Sequence, residues 1–422
     1  MLIPSIDISQ GKVVQLKQGE TLMLERDNPE QLVQEFSLYG VPALIDIDAA
    51  KGEGSNRNLI TSLLKLQSCI VGGGIRTIED ARYYIANGAK KIIIGSSIFS
   101  KKPETGQYTI NEVLLSELQK TIGRSRIIAA LDVRDETVVI NGWKSSTALN
   151  IFSLLPKIEQ YAGTVLITSV HREGLMAGTD LQLYKKIRET TNMPVIAAGG
   201  IFTQQEIQAL AQLNIDSQLG MALYTNQLSL PDAFSAQLNW SSELLPVIAQ
   251  SPEGSVLMLG YTNQEALKES FLRRKLCFYS RSRKRLWMKG ETSGNTLALI
   301  SMRTDCDRDT ILAQVVPKSP VCHTGNGTCF GEPIFTLEQL QNIIRERFTN
   351  PTPGSYTATL DDSAARAKLM EEAQEVCEAN TAEEVIWESA DVLYFLLVLM
   401  TKKGVSLDAV LRELERRRRL KQ

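Results

Sequence analysis

The chain has 422 residues, 43% of them hydrophobic, with 46 Lys and Arg against 48 Asp and Glu. That length supplies core for roughly two to four domains, and a net charge of −2 leaves no basic footprint for nucleic acid or an anionic membrane. No apolar run approaches the ~18 residues that span a bilayer, residues 1–7 lack a basic leader region, and Cys69, Cys277 and Cys377 stand apart as reduced core thiols do. A soluble cytoplasmic protein with neither nucleic-acid nor membrane partners is expected.

The first half of the chain repeats itself. Ile3-Pro4-Ser5-Ile6-Asp7 returns as Ile128-Ala129-Ala130-Leu131-Asp132, 125 residues on, and Val13-Val14 returns as Val138-Val139 at the same offset. Gly73-Gly74-Ile75 matches Gly199-Gly200-Ile201, and Gly95-Ser96-Ser97 matches Gly220-Met221-Ala222. Short apolar runs at 2–6, 43–47, 68–72, 91–94, 126–131, 164–168, 194–198 and 216–220 alternate with helical stretches. Eight strands with intervening helices read as a (β/α)8 TIM barrel over 1–232. Asp7 and Asp132 then end strands on opposite sides of the ring and point into one mouth. Glycine turns at Gly74, Gly95, Gly199, Gly200 and Gly220, with Arg76 and Ser96, offer two phosphate cradles. A substrate with a phosphate at each end would suit them.

Residues 226–238 read as a linker into a middle region, 239–332. Its segment 296–303 reads as a strand. Continued through 305–309, that strand would place Asp305, Asp307 and Asp309 on one face and Cys306 on the other. Three convergent carboxylates suit Mg2+. Cys306, Cys322 and Cys329 suit Zn2+, and three protein ligands leave the open position of a catalytic site. Such a zinc ion makes water nucleophilic near neutral pH. The alternative is a closed structural zinc ribbon with His323 as fourth ligand, although adjacent Cys322 and His323 rarely both reach one ion.

Gly331-Glu332-Pro333 marks a second boundary, and 336–422 reads as helical, with Thr336 as a cap and a loop at 349–354. Glu372 with Glu375, and Glu388 with Asp391, are i, i+3 pairs, each on one helix face. Two such helices packed antiparallel would gather four carboxylates into a Mg2+ site for a pyrophosphate. Solvated acidic faces are the plain alternative. The basic run 412–421 reads as a solvated helix end that complements the helix dipole.

These motifs carry resemblances. Phe278-Tyr279-Ser280-Arg281-Ser282-Arg283 and Leu286-Trp287-Met288-Lys289-Gly290-Glu291-Thr292-Ser293-Gly294-Asn295 precede the acidic segment. With 305–309 and Cys322-His323-Thr324-Gly325, they closely resemble phosphoribosyl-AMP cyclohydrolase of histidine biosynthesis, an α+β zinc enzyme. The resemblance implies Cys306, Cys322 and Cys329 as zinc ligands and Asp305, Asp307 and Asp309 as magnesium ligands. It also implies hydrolytic opening of an adenine ring, and dimers that share the zinc site across their interface. Arg281, Arg283, Trp287, Lys289 and Ser293 lie in these motifs as substrate-binding candidates, and His323 is the candidate base. The barrel resembles the phosphoribosyl isomerase of the same pathway. That implies Asp7 and Asp132 as acid and base of an Amadori rearrangement, with Thr168 nearby. This chain departs from the usual pattern at Arg172-Glu173-Gly174-Leu175 and at Met221. Ser355-Tyr356-Thr357 and the carboxylate pairs resemble phosphoribosyl-ATP pyrophosphohydrolase, which implies an all-α, oligomeric, Mg2+-dependent domain. A multidomain fusion is expected, acting on phosphoribosyl nucleotides as a homodimer or higher homo-oligomer. The alternative is a bifunctional hydrolase with a silent scaffold barrel.

Overall fold

The computed structural model describes residues 1–175, 178–331 and 335–419. Eight parallel strands close into a ring: β1 (Leu2–Ser9), β2 (Ala43–Asp46), β3 (Ile70–Gly72), β4 (Lys91–Ile94), β5 (Ile127–Arg134), β6 (Thr164–Ser169), β7 (Val195–Ala198) and β8 (Ile215–Leu219). β8 pairs with β1, and β4 pairs with β5, so no edge remains in the ring. All eight strands expected from the sequence are present, with ends shifted by a few residues. β1 and β5 run longest because each continues into an antiparallel hairpin, Lys12–Lys17 with Thr21–Arg26 and Thr137–Ile140 with Ser145–Asn150. That these hairpins occupy equivalent places in the two halves is the duplication made visible.

Two apolar layers hold the barrel. Ile3, Ala43, Ile70, Ile93, Ile128, Leu166, Ile196 and Ala198 form a buried cluster drawn from seven of the strands. Alternate residues of the same strands, such as Leu2, Leu44, Val71, Ile92 and Ile127, pack in the larger core with the helices. A strand buried on both faces reads as a continuous apolar run, which is why these strands are legible in sequence.

The expected linker 226–238 is instead largely a packed helix, α1 (Leu230–Ala236). Ser229 caps it by accepting from the Asp232 N–H, and Pro231 sits in the first turn, where its missing donor does no harm. Leu230, Ala233 and Phe234, at i, i+3 and i+4, are buried. Phe234 meets Phe271 edge-on at 5.2 Å, and Tyr39 lies 4.3 Å from the same ring. Phe271 belongs to α2 (Gln264–Arg273) of the middle region. The barrel and the middle region accordingly form one compact unit, Met1–Pro252 with Val256–Phe330.

The middle region is a four-stranded sheet in the order β10 (Val256–Thr262), β9 (Leu245–Gln250), β14 (Ile311–Pro317), β13 (Leu297–Thr304), with the hairpin β11 (Cys277–Ser280) and β12 (Arg285–Met288) beside it. β9 and β14 are parallel, and the other pairs of the sheet are antiparallel.

The second unit, Gly331–Gln422 with Glu253–Ser255, is helical: α3 (Leu337–Thr349), α4 (Asp362–Glu378), α5 (Ala382–Lys402) and α6 (Leu407–Arg419), with a one-turn helix at Tyr356–Thr359. Thr336 and Gln339 form a capping box at α3, and Thr381 and Glu384 form another at α5. Ile344, Leu360, Ala365, Phe395, Leu397, Val398 and Met400 form the core. Gln341 ties α3 to the start of α6, donating to the Val405 carbonyl and accepting from the Leu407 N–H, both at 2.9 Å. Glu332 and Pro333 of the expected boundary, and the end of the basic run, lie outside the described residues.

Candidate functional site

Three groups of candidate functional side chains emerge, one in each region. In the barrel, Asp7 on β1 and Asp132 on β5 face the same mouth. The Ser5 hydroxyl donates to Asp7 at 2.7 Å, and the Trp143 indole N–H donates to Asp132 at 2.9 Å. Thr168 sits beside Asp132 in strand register and also donates to it. Burial is the main influence on both carboxyls. It lifts Asp7 to about 6 against the Ser5 hydrogen bond, and it raises Asp132 against the bonds from Thr168 and Trp143.

Sequence reasoning passed over two members of this mouth. Glu173, singled out only as a departure in a motif, lies against Gly199, and burial followed by the charges of Asp7 and Asp132 pushes it to about 7. Trp143 stands in the turn of the second hairpin, with a left-handed backbone (φ 67°), and packs on Gly19 in the turn of the first. A glutamate in place of an aspartate after the sixth strand was the available signal for the first. Nothing local marked the second.

The glycine turns repeat in detail. Gly73 and Gly199 take φ of 91° and 92°, and Gly74 and Gly200 take 69° and 77°. A side chain at Gly74 would strike Ala49, and one at Gly200 would strike the Gly178 carbonyl, so only glycine lets these turns close. Gly95 and Gly220 share an unusual backbone, ψ −111° and −103°, at the start of short helices. Ser96 accepts from the Asn141 N–H at 3.3 Å. Arg76 differs from expectation: its guanidinium donates to the Ala49 and Ala50 carbonyls, both at 3.0 Å, and is engaged there.

In the middle region the strand reading of 305–309 is wrong in form. β13 ends at Thr304, and 305–309 is a loop. Asp305 starts it by donating its N–H to Thr310, whose own N–H returns to the Asp305 carboxylate at 3.2 Å, while Arg308 is left-handed at φ 65°. Turning back on itself, the loop still brings Asp305, Asp307 and Asp309 together, with one oxygen from each within 4.8 Å of the others. Hard oxygens in this number fit a divalent cation such as Mg2+.

The three cysteines are not gathered in one chain. Cys322 and Cys329 interact directly, whereas Cys306 is exposed on the acidic loop and joins no three-ligand group among the described residues. The Thr324 hydroxyl donates to Cys322 Sγ at 3.1 Å and holds that thiol below its ordinary value. Burial, then the neighbouring Cys322, raises Cys329. His323 Nδ1 lies 3.8 Å from Cys322 Sγ. Lys289, 9% exposed, lies near enough for its charge to act on Cys329, with its ammonium 6.0 Å from the Trp287 ring. Trp287 packs on Phe278, and Arg281 covers the Tyr261 ring at 3.9 Å. Arg283, in the β11–β12 turn, and Ser293 are exposed. Their recorded bonds are local: the Arg283 N–H donates to Ser280, and Ser293 accepts from the Asn295 N–H.

In the helical unit α4 and α5 pack against each other. Glu372, Glu388 and Asp391 each place an oxygen within 4.8 Å of the others, and the Glu375 side chain lies against that of Glu388. Burial first, then the charges of Glu375 and Asp391, raises Glu372, which is 8% exposed. Glu388 is raised by burial and by Glu375. Carboxylates grouped in this way could hold a divalent cation. Phe395, where the resembling family usually has histidine, is a core residue.

Family models match the chain in three consecutive stretches: histidine biosynthesis protein over residues 1–229, phosphoribosyl-AMP cyclohydrolase over 258–331, and phosphoribosyl-ATP pyrophosphohydrolase over 337–418. The chain is 42% identical over 201 residues to the histidine biosynthesis bifunctional protein HisIE of Pyrococcus furiosus, covering 43% of this chain and 96% of that protein. It is 44% identical over 185 residues to the HisIE protein of Bacteroides thetaiotaomicron, covering 41% and 91%. A phosphoribosyl imidazole-4-carboxamide isomerase of Methanococcus maripaludis is 34% identical over 245 residues, covering 56% of this chain and 99% of that protein.

Proposed function

The chain belongs to the histidine biosynthesis protein family, with cyclohydrolase and pyrophosphohydrolase domains behind an isomerase-like barrel, and from that premise we propose that its three regions act in succession on one phosphoribosyl nucleotide. The observation that carries this reading is that each region gathers a cluster of carboxylates: Asp7, Asp132 and Glu173 in the barrel, Asp305, Asp307 and Asp309 in the middle region, and Glu372, Glu388 and Asp391 in the helical unit. Domain bounds of 1–232, 239–332 and 336–422 follow from the same reading.

In the helical domain Glu372, Glu375, Glu388 and Asp391 would hold Mg2+, which supplies charge neutralisation at a triphosphate. The four carboxylates orient the α–β phosphate linkage for hydrolysis, giving phosphoribosyl-AMP and pyrophosphate. In the middle domain Asp305, Asp307 and Asp309 would hold Mg2+, and Cys306, Cys322 and Cys329 would hold Zn2+, whose Lewis acidity makes water nucleophilic near neutral pH. His323, beside Cys322, would serve as the proton acceptor at this site, and Trp287 and Lys289 would orient the adenine. Cys306 forms no three-ligand group with the Cys322–Cys329 pair among the described residues, which favours a zinc set completed by two copies of the chain in a homodimer or higher oligomer. The fold has no helix long and apolar enough to cross a membrane among its described residues, in keeping with a cytoplasmic biosynthetic enzyme.

In the barrel the glycine turns would grip a phosphate at each end of an aminoaldose. Amadori isomerisation gives a proton to one atom and takes one from its neighbour, and Asp7 and Asp132 divide those roles across the mouth. Glu173 keeps a proton available between them. A base works above its pKa and an acid below; with Asp7 as the base and Asp132 delivering a proton that Glu173 resupplies, Asp7 at about 6 and Glu173 at about 7 set the two limbs. Isomerase kcat/KM should therefore peak between those values and fall on both sides. A flat profile from pH 5 to 9 would remove these groups from the chemistry.

The deciding experiment supplies the full chain, Zn2+ and Mg2+ with phosphoribosyl-ATP and identifies the end product. Isomerised product is expected, and Asp132→Asn should stop the sequence at the aminoaldose with both hydrolytic steps intact. Accumulation of the aminoaldose in the unaltered protein would leave the barrel as a scaffold. Leu175 and Met221 would then be the first residues to examine for a lost phosphate grip.

A further inference from the structure

Arg308 sits inside the carboxylate loop, between Asp307 and Asp309, yet its side chain is spent elsewhere. It is 6% exposed. Its guanidinium donates to the Asp216 carboxylate at 3.0 Å and to the Ile215 carbonyl at 3.2 Å. Both acceptors begin β8, the end of the barrel opposite to the mouth that holds Asp7 and Asp132. The backbone of Arg308 is held as well: its carbonyl accepts from the Asn239 N–H at 2.8 Å, just after α1. Nearby, the Met302 N–H on β13 donates to the Leu38 carbonyl at 2.9 Å, so the strand feeding the loop is tied to the barrel too. Asp216 also meets the Met1 amino group and feels the charge of Lys91.

These contacts act on a loop that has reason to spring open. Asp305, Asp307 and Asp309 are like charges held close together, and the loop turns through a left-handed, non-glycine residue, a conformation that persists only when its surroundings enforce it. Asp305 and Thr310 close the loop from within, Asn239 holds the Arg308 carbonyl, and the contacts on the Arg308 side chain belong to the barrel. A buried guanidinium needs a carboxylate partner, so the pair fixes where residue 308 lies, and with it the two aspartates on either side.

We propose that Arg308 is a positioning residue for ring opening: docked on Asp216 at the base of the barrel, it pre-organises Asp305, Asp307 and Asp309 for a divalent cation, so that the barrel serves the middle domain as a structural part of its active site. This rests on the reading of those three aspartates as cation ligands. It makes the barrel necessary to the second reaction whether or not the mouth catalyses the third.

The test uses the full-length protein and the Mg2+ concentration that half-saturates ring opening of phosphoribosyl-AMP. Asp216→Asn, in which the loop sequence is untouched, and Arg308→Gln should each raise that concentration about tenfold, as loss of a group supporting a metal ligand does. The double variant should be no worse than either single one, because both remove one interaction. Arg308→Lys should recover part of the loss. Turnover at saturating Mg2+ and pyrophosphate release should stay near the unaltered values. In metal-free protein, amide hydrogen exchange of residues 304–310 should quicken in Asp216→Asn. Asp305→Asn separates this proposal from its premise. If it weakens Mg2+ dependence while Asp216→Asn and Arg308→Gln change neither half-saturation nor exchange, the positioning role is overturned. If Asp305→Asn has no effect, the premise fails and the proposal with it. An equal fall in all activities would mean general destabilisation and would also overturn it.

Discussion

Cys306→Ser is expected to lose adenine-ring opening by about 10³-fold or more, since a zinc site supplies several kcal/mol and each 1.36 kcal/mol is tenfold. Serine is nearly isosteric, but its hydroxyl does not ionise near neutral pH as a thiol does, so a three-ligand site is left with two. Bound zinc should fall in step, and pyrophosphate release should continue because Glu372, Glu375, Glu388 and Asp391 lie in the other compact unit. Among the described residues Cys306 forms no three-ligand group with the interacting pair Cys322 and Cys329, and a zinc site shared between two copies of the chain adds a sharper expectation. Mixing Cys306→Ser with Cys329→Ser protein, each inactive alone, should restore ring opening. A heterodimer rebuilds one of its two shared sites, about a quarter of sites in a random mixture. Full activity in a zinc-free Cys306→Ser protein would reject the assignment, and failure of the mixture to recover would place all three thiols in one chain.

Glu388→Gln should cut pyrophosphate release by about 10²–10³-fold, again several kcal/mol of lost charge neutralisation. The substitution keeps the volume and removes one charge from a crowded set. Glu388 is raised by burial and by its contact with Glu375, so removing its charge relieves repulsion between α4 and α5. The helical unit should melt no lower than before. Lost rate with retained stability is the signature of a cation ligand. An unchanged rate at limiting Mg2+ would show instead that these residues are a solvated acidic face.

Local pattern carried much of this protein. Doubly buried strands announce themselves as apolar runs, so the eight barrel strands were legible, and the internal repeat placed Asp7 and Asp132 at equivalent positions. The i, i+3 spacing of Glu372 with Glu375 and of Glu388 with Asp391 stated which helix face each pair occupies, because helical periodicity is a property of the backbone alone. Tertiary structure decided the rest. The segment 305–309 is a loop in which Arg308 has a left-handed backbone and pairs with Asp216, a partner 92 residues away in sequence. Glu173 joins Asp7 and Asp132 only when the ring closes, and Trp143 reaches Asp132 only through the fold of its hairpin. The segment expected to be a linker is a helix because Phe234 finds Phe271 to pack against. Short-range spacing determines which element a residue joins and which way it faces. Which distant groups share its surroundings, and hence its charge state and its ligands, is set by packing between elements that no local pattern encodes.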